Sequence, residues 1–356
     1  MSLIGQPTNL PITSFISVLK PKSNATLAVA SPGFSGLCEE LGLWDITIGE
    51  TFDKTILNQF PEEASLPPAL KVCPRDAAYV LFTFGSTGTP KGFLTEHGAI
   101  CNSQRAVCKR LKLTSEARML QFASHVFDAC VYELLFTLMV GGCLFAPSDH
   151  VRVNKLPDFI SKRNVIWAAF ISSFLRILSP YQVSNLQALI SGGEAFGRDL
   201  LDVWSGKCQL INVWGPAECC PITAIHEWLS PTEPPLTIGG PVGNFCWIVD
   251  PQNPTIPSPI GCMGEIMIQD CTVMTDTLEW MPRRHKSGWN RCYKSGDLAY
   301  YNYDGTMEFA GRKDTQIKIR DAVETLASEN TTILVAYLCF QPGVDSCFTR
   351  TQKRPG

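Results

Sequence analysis

Residues 83–92 read TFGSTGTPKG and are entered directly from the apolar run 78–82, AYVLF. Glycines let backbone N–H groups come close to an anion, and the serine and threonine hydroxyls add donors. Lys91 supplies a full positive charge. This chemistry suits a polyphosphate; an ordinary glycine-rich turn is the competing reading of the stretch taken alone. Pro90 precedes Lys91 and no Gly-Lys-Ser/Thr follows, so the spacing is not that of a GTPase-type loop.

The same apolar run begins a series. The strand-like stretch 78–84 precedes a helical pattern at 98–111, 119–123 precedes 128–140, and 143–146 precedes 156–162. Then 165–171 leads to 174–178, 186–191 leads to 198–204, and 209–213 closes the alternation. Alternation of this kind implies βαβ units around a parallel sheet. Near Ser230 proline and glycine become dense, and short strands such as 245–249 and 265–268 point to a smaller antiparallel region, a distorted barrel. Asp304-Gly305, between 298–303 and 306–309, is a hairpin signal. After Arg320 the one clear strand pattern is 333–340.

At 356 residues the chain can bury a large core and hold more than one domain. A hydrophobic content of 45% with 18% charged residues describes a soluble globular protein. The net charge of −3 gives no electrostatic case for nucleic acid or an anionic membrane as partner. The longest apolar stretch, 134–147, follows Glu133, is broken by Gly141-Gly142, and is too short to span a bilayer. No basic, apolar leader is visible at residues 1–10, so the expected location is cytoplasmic. The fifteen cysteines form no Cys-x-x-Cys pair and no zinc spacing, and read as buried reduced thiols. The sequons at Asn24 and Asn330 are accordingly chance matches.

Five further stretches keep company with the loop. Phe127-Asp128-Ala129-Cys130 opens a helix, 212–218 reads NVWGPAE, 264–268 reads GEIMI, 293–298 reads YKSGDL, and 311–320 reads GRKDTQIKIR. In this order and at these intervals they resemble the adenylation domains of nonribosomal peptide synthetases, fungal members above all, within the adenylate-forming superfamily of acyl-CoA synthetases and luciferases. The resemblance covers roughly residues 31–320. It implies an α/β fold: the large N-terminal domain, with parallel βαβ sheets and a small distorted β-barrel, followed by an incomplete C-terminal α+β subdomain. The implied division is a truncated α/β part at 1–230, a β-rich subdomain of the same domain at 231–313, and a hinge with a small-domain remnant at 314–356.

The resemblance also implies an activity. An amino-acid carboxylate is joined to the α-phosphate of MgATP, and a phosphopantetheine thiol on a carrier protein takes the acyl group. Charge builds on the α-phosphate oxygens, which calls for cationic and N–H donors. By similarity Thr83, Ser86, Thr87, Gly88 and Lys91 form the loop that holds the β- and γ-phosphates. Glu218 matches the Mg²⁺ ligand, a hard carboxylate for a hard cation. For adenosine, Asn212 offers an amide to the base edge and Trp214 a ring to stack on it, where the family usually has tyrosine. Gly192, Gly193 and Glu194 lie at the carboxyl end of a strand, where α/β sheets bind ligands. Asp297 matches the acceptor for both ribose hydroxyls, Arg312 a ribose or phosphate contact, and Asp314 the hinge.

In the amino-acid pocket Asp128 matches the carboxylate that pairs with the substrate ammonium; a helix N-cap is its alternative role. Tyr132, four residues on, shares its helix face. The remaining walls implied are Ala129, Ala169, Ile190 and Gly192, with Val213, Pro221 and Ile222. Apart from Asp128 and Tyr132 these are apolar or lack a side chain, which favours a neutral hydrophobic or aromatic amino acid. Asp128 argues against fatty-acyl and aryl acids, which bring no ammonium.

The chain departs from the family pattern in places. Phe84 stands for a serine, Ala217 for a threonine, Ile171-Ser172-Ser173 for a proline-containing stretch, and Asp321 for a glycine. The expected N-terminal hundred residues and the C-terminal Pro-x-x-x-x-Gly-Lys motif have no counterpart, and Lys353 lacks its context. The expectation is therefore a domain truncated at both ends with impaired adenylation, a loss on the order of 10²–10³. A catalytically silent nucleotide- or amino-acid-binding remnant is the second reading and an acyl-CoA ligase the third. A serine hydrolase has little support, because Gly33-Phe34-Ser35-Gly36 lacks the Gly-x-Ser-x-Gly spacing.

Overall fold

The computed structural model describes residues 3–4, 27–30, 35–47, 72–84, 90–124, 127–270, 275–276, 291–313, 324–328 and 331–335. They fall into two compact units, Met1–Asp314 and Thr315–Gly356. The second unit holds the antiparallel pair Glu324–Ser328 and Thr331–Val335. Among the described residues no helix is long and apolar enough to cross a membrane.

In the first unit β1 (Leu3–Ile4) is a short strand, and β2 (Leu27–Ala30) and β3 (Trp44–Thr47) run parallel on either side of α1 (Ser35–Glu40). Next come β4 (Ala77–Phe84), β5 (Pro90–Glu96), α2 (His97–Leu111), β6 (Arg118–Leu120), α3 (Asp128–Met139) and β7 (Cys143–Phe145). They are followed by α4 (Asp149–Asn154), α5 (Leu156–Lys162), β8 (Trp167–Phe170), α6 (Ser172–Leu175), β9 (Ala188–Gly192), α7 (Arg198–Trp204) and β10 (Gln209–Trp214).

Strands β10, β9, β8, β6 and β7 lie side by side in that order, every pair parallel. The period-2 alternation along them divides the core. Ala168, Phe170, Leu189 and Leu210 face α5 and α7, where Ile160, Leu201 and Trp204 are buried. Ala169, Ile190, Ile211 and Val213 face the other way, onto Val107 and Leu111 of α2 and onto Tyr132 and Phe136 of α3.

One expectation is corrected. The stretch 78–84 is not the first strand of the parallel sheet: β4 pairs antiparallel with β5 and parallel with β1, in a separate three-stranded sheet. The sequence hid β5 because it opens Pro-Lys-Gly, and proline is tolerated only at the start of a strand or on an edge. A smaller shift concerns the helix expected at 174–178, which occupies Ser172–Leu175 instead. The Glu194 carboxylate accepts the Ser173 N–H at 2.7 Å and so anchors the earlier start.

Beyond β10 the sheet turns antiparallel through β11 (Ala224–Trp228), β12 (Thr237–Pro241), β13 (Phe245–Val249), β14 (Gly264–Asp270), β15 (Thr275–Asp276), β16 (Arg291–Tyr301) and β17 (Met307–Arg312). The two regions are joined through β12. Its Gly240 and Pro241 pair with β11, while Thr237 and Gly239 pair with β17 across a bulge. Gly239 sits there at φ +77°, and a β-carbon would strike the Ile225 carbonyl, so glycine makes the bend. The β16–β17 hairpin turns at Asp304-Gly305, with Gly305 at φ +84°.

Candidate functional site

Thr83 and Lys91 are cross-strand partners in the β4–β5 ladder, and Phe84 and Pro90 form the last pair before the tip. The two ends of the glycine-rich stretch therefore lie on paired antiparallel strands. Ser86, Thr87 and Gly88 lie outside the described residues. Strand β5 packs beside the single turn Ala217–Cys219 that carries Glu218. Burial, and next the Glu218 carboxylate to which it hydrogen-bonds, push the Tyr293 phenol well above its ordinary range.

The turn follows β10. At the end of that strand the Trp214 indole donates from Nε1 to Asp297 Oδ2 at 3.0 Å, joining groups 83 residues apart. On the other carboxylate oxygen, Arg312 Nη1 donates to Asp297 Oδ1 at 2.9 Å. Asp297 sits on β16 opposite Arg312 on β17, just after Gly296 at φ +72°. Its N–H donates to Ser295 Oγ, which in turn donates to the Ile266 carbonyl. Behind this group lies Glu265, buried to 3%: it accepts the Gly296 N–H at 3.2 Å and pairs with Lys294 at 3.3 Å and Lys313 at 3.0 Å.

Asn212 is buried between β9 and β11, and its amide nitrogen donates to the Thr237 carbonyl at 2.8 Å. Gly192, at the end of β9, lies opposite Val213; a β-carbon there would come within 2.6 Å of the Val213 carbonyl oxygen. Gly193 follows at φ +77° and is exposed. Glu194 accepts from both the backbone N–H and the hydroxyl of Ser173.

Tyr132, Ala169, Ile190, Val213 and Ile222 belong to one buried cluster, with Ala129 packed against it. Pro221 is buried beside Ile222. Asp128 occupies the first turn of α3, after an N-cap, Phe127, that makes no side-chain cap bond. Its charge adds to the burial that raises the phenols of Tyr132 and Tyr79. Tyr79 is in turn close to Cys220, two residues beyond Glu218. Asp128 thus acts electrostatically on the tyrosine that packs with Cys220, the residue that follows the Ala217–Cys219 turn.

Three groups here were missed in the sequence: Tyr79, Glu265 and Glu133. Glu133 is fully buried on α3 and accepts the N–H groups of Phe122 and Ala123, each at 3.1 Å, and the Gln121 amide at 3.3 Å. Burial pushes its carboxyl up to about 8, against those hydrogen bonds and the Arg152 charge. A lone carboxylate inside the apolar run CVYELLF was the available signal.

A family model described as AMP-binding enzyme matches residues 35–276. The nonribosomal peptide synthetase kk1B of Curvularia clavata is 38% identical over 311 residues, which is 83% of this chain and 2% of that protein. This chain thus spans a small part of the curated relative it matches. Among solved structures, the Vibrio cholerae adenylation domain AlmE in complex with glycyl-adenosine-5′-phosphate aligns with TM-score 0.63 at 20% identity, over 86% of this chain and 60% of that one. An artificially fused adenylation–PCP di-domain, NpsA-ThdA from Klebsiella oxytoca, aligns with TM-score 0.70 at 21% identity, over 87% and 63%. These structural likenesses concern the fold.

Proposed function

Because this chain belongs to the AMP-binding enzyme family, we propose that it joins the carboxylate of a neutral, hydrophobic or aromatic amino acid to the α-phosphate of ATP. The aminoacyl group then passes to the phosphopantetheine thiol of a carrier protein, as in nonribosomal peptide synthesis. Such a reaction draws on cytoplasmic ATP, and the cytoplasm is the location proposed. The observation that carries the reading is the Trp214–Asp297–Arg312 linkage beside the Glu218 turn, with the Asp128 helix facing an apolar cluster.

In this reading the Trp214 ring stacks on adenine, Asn212 and the Gly192–Gly193–Glu194 corner border the base, and Asp297 accepts from the ribose hydroxyls with Arg312 beside it. Lys91 and Thr83, across the β4–β5 ladder from each other, meet the phosphates together with Ser86, Thr87 and Gly88. An attacking carboxylate oxygen forms a bond to the α-phosphorus as the bond to pyrophosphate breaks. Fixed positive charge and N–H donors near that phosphorus lower the barrier without reorganising. Among the described residues no three His, Cys, Asp or Glu side chains gather as a metal site. A Mg²⁺ ion would take the hard carboxylate oxygen of Glu218 as its protein ligand. Bound there, Mg²⁺ would neutralise phosphate charge. Asp128 pairs with the substrate ammonium while Ala129, Tyr132, Ala169, Ile190, Val213, Pro221 and Ile222 enclose the side chain.

Amino-acid-dependent ATP–pyrophosphate exchange over a panel of hydrophobic and aromatic amino acids tests this. Exchange is expected with a subset of the panel, and Asp128→Asn should lower it by roughly 10- to 100-fold, the weight of one hydrogen bond to a charged group. Exchange stimulated equally by the deaminated acids would refute the role of Asp128. Binding without exchange would favour a silent binder.

A further inference from the structure

Trp214 does more in this structure than offer a ring. Its indole N–H reaches Asp297 Oδ2 at 3.0 Å, and the receiving side chain is only 14% exposed, so the bond is largely sheltered from water. Arg312 donates to Oδ1 from the opposite strand at 2.9 Å. A donor reaching each oxygen, from β10 and from β17, restrains rotation of the carboxylate about its terminal bond. A planar carboxylate has a broad, roughly twofold torsion when left to itself, so its direction has to be imposed. The backbone beneath is also held, by the Ser295 hydroxyl and by Gly296, where a β-carbon would meet the Arg312 guanidinium at 3.0 Å.

We propose that Trp214 is a positioning residue whose indole N–H aims the Asp297 carboxylate at the nucleotide ribose, so that preference for a ribonucleotide depends on that N–H. The inference rests on the reading of Asp297 as the ribose acceptor. Its energetic signature differs from that of stacking. Loss of stacking weakens every adenine nucleotide alike, whereas loss of aim weakens only ligands that bring hydroxyls to the carboxylate.

The test is calorimetric binding of ATP and of 2′,3′-dideoxy-ATP to the full chain, as wild type and as Trp214→Phe, which keeps an aromatic ring and removes the N–H. ATP affinity is expected to fall about tenfold in the variant, and dideoxy-ATP affinity to change less than about twofold. In an Asp297→Asn background the same substitution should add less than about twofold. Equal weakening of both nucleotides, or of neither, overturns the inference. A wild type that binds the two nucleotides equally would instead refute the ribose role of Asp297, and the positioning role with it. A measurement that leaves Trp214 intact guards against a misfolded variant: its indole N–H proton resonance should move in Asp297→Asn, and an unmoved resonance counts against the hydrogen bond.

Discussion

Replacing Glu133 by glutamine should change how the stability of this chain responds to pH. The carboxyl is buried on α3, and burial raises it from 4.5 to about 8. Between those values the folded state keeps a proton that the unfolded chain has released. Stability therefore falls as pH rises through that window, by about 1.4 kcal/mol per unit for one group. From pH 5 to pH 7 the loss attributable to Glu133 is about 2–3 kcal/mol. Glutamine preserves the shape and can still accept from Phe122 and Ala123, but it does not titrate. Urea unfolding of both proteins at pH 5, 6 and 7, with unchanged m-values, reads the difference directly. Glu133→Gln is expected to gain about 2–3 kcal/mol relative to wild type across that range. Parallel curves, or a wild type that gains on the variant as pH rises, would refute the reasoning. The carboxylate would then be ionised in the fold, its burial outweighed by Ala123, Phe122, Gln121 and Arg152.

Three other substitutions test the scaffold of the site. Gly192→Ala forces a β-carbon against the Val213 carbonyl and should cost about 1–3 kcal/mol in urea unfolding, while Gly240→Ala, with open space at its β-carbon, should be close to neutral. Glu265→Gln removes the charge that Lys294 and Lys313 share; since both lysines can return to water, a loss of about 1–3 kcal/mol is expected, and an unchanged unfolding midpoint would count against a structural role for the pair.

Local order was readable wherever one segment carried its own signal. The helices at 128–139, 156–162 and 198–204 follow from periodicity, and the turn at Asp304-Gly305 follows from the conformational freedom of glycine, because these depend on neighbours within a few residues. The antiparallel partner of β4 was not readable. Its opening residues Pro-Lys-Gly are poor strand formers, and the strand exists because pairing with β4 supplies the hydrogen bonds. Glu133 and Glu265 illustrate the same limit: a lone acid in an apolar run signals something, but not which amides or lysines receive it.

The order and spacing of the motifs, written in the chain itself, determined the family and the kinds of chemical group on offer. Only the tertiary structure decided which groups meet. Trp214 and Asp297 lie 83 residues apart and touch because an antiparallel layer is hinged to a parallel one through β12, at a glycine with no room for a side chain. Residue type fixes what a group can donate or accept, whereas direction and distance come from long-range strand pairing, which no local pattern encodes.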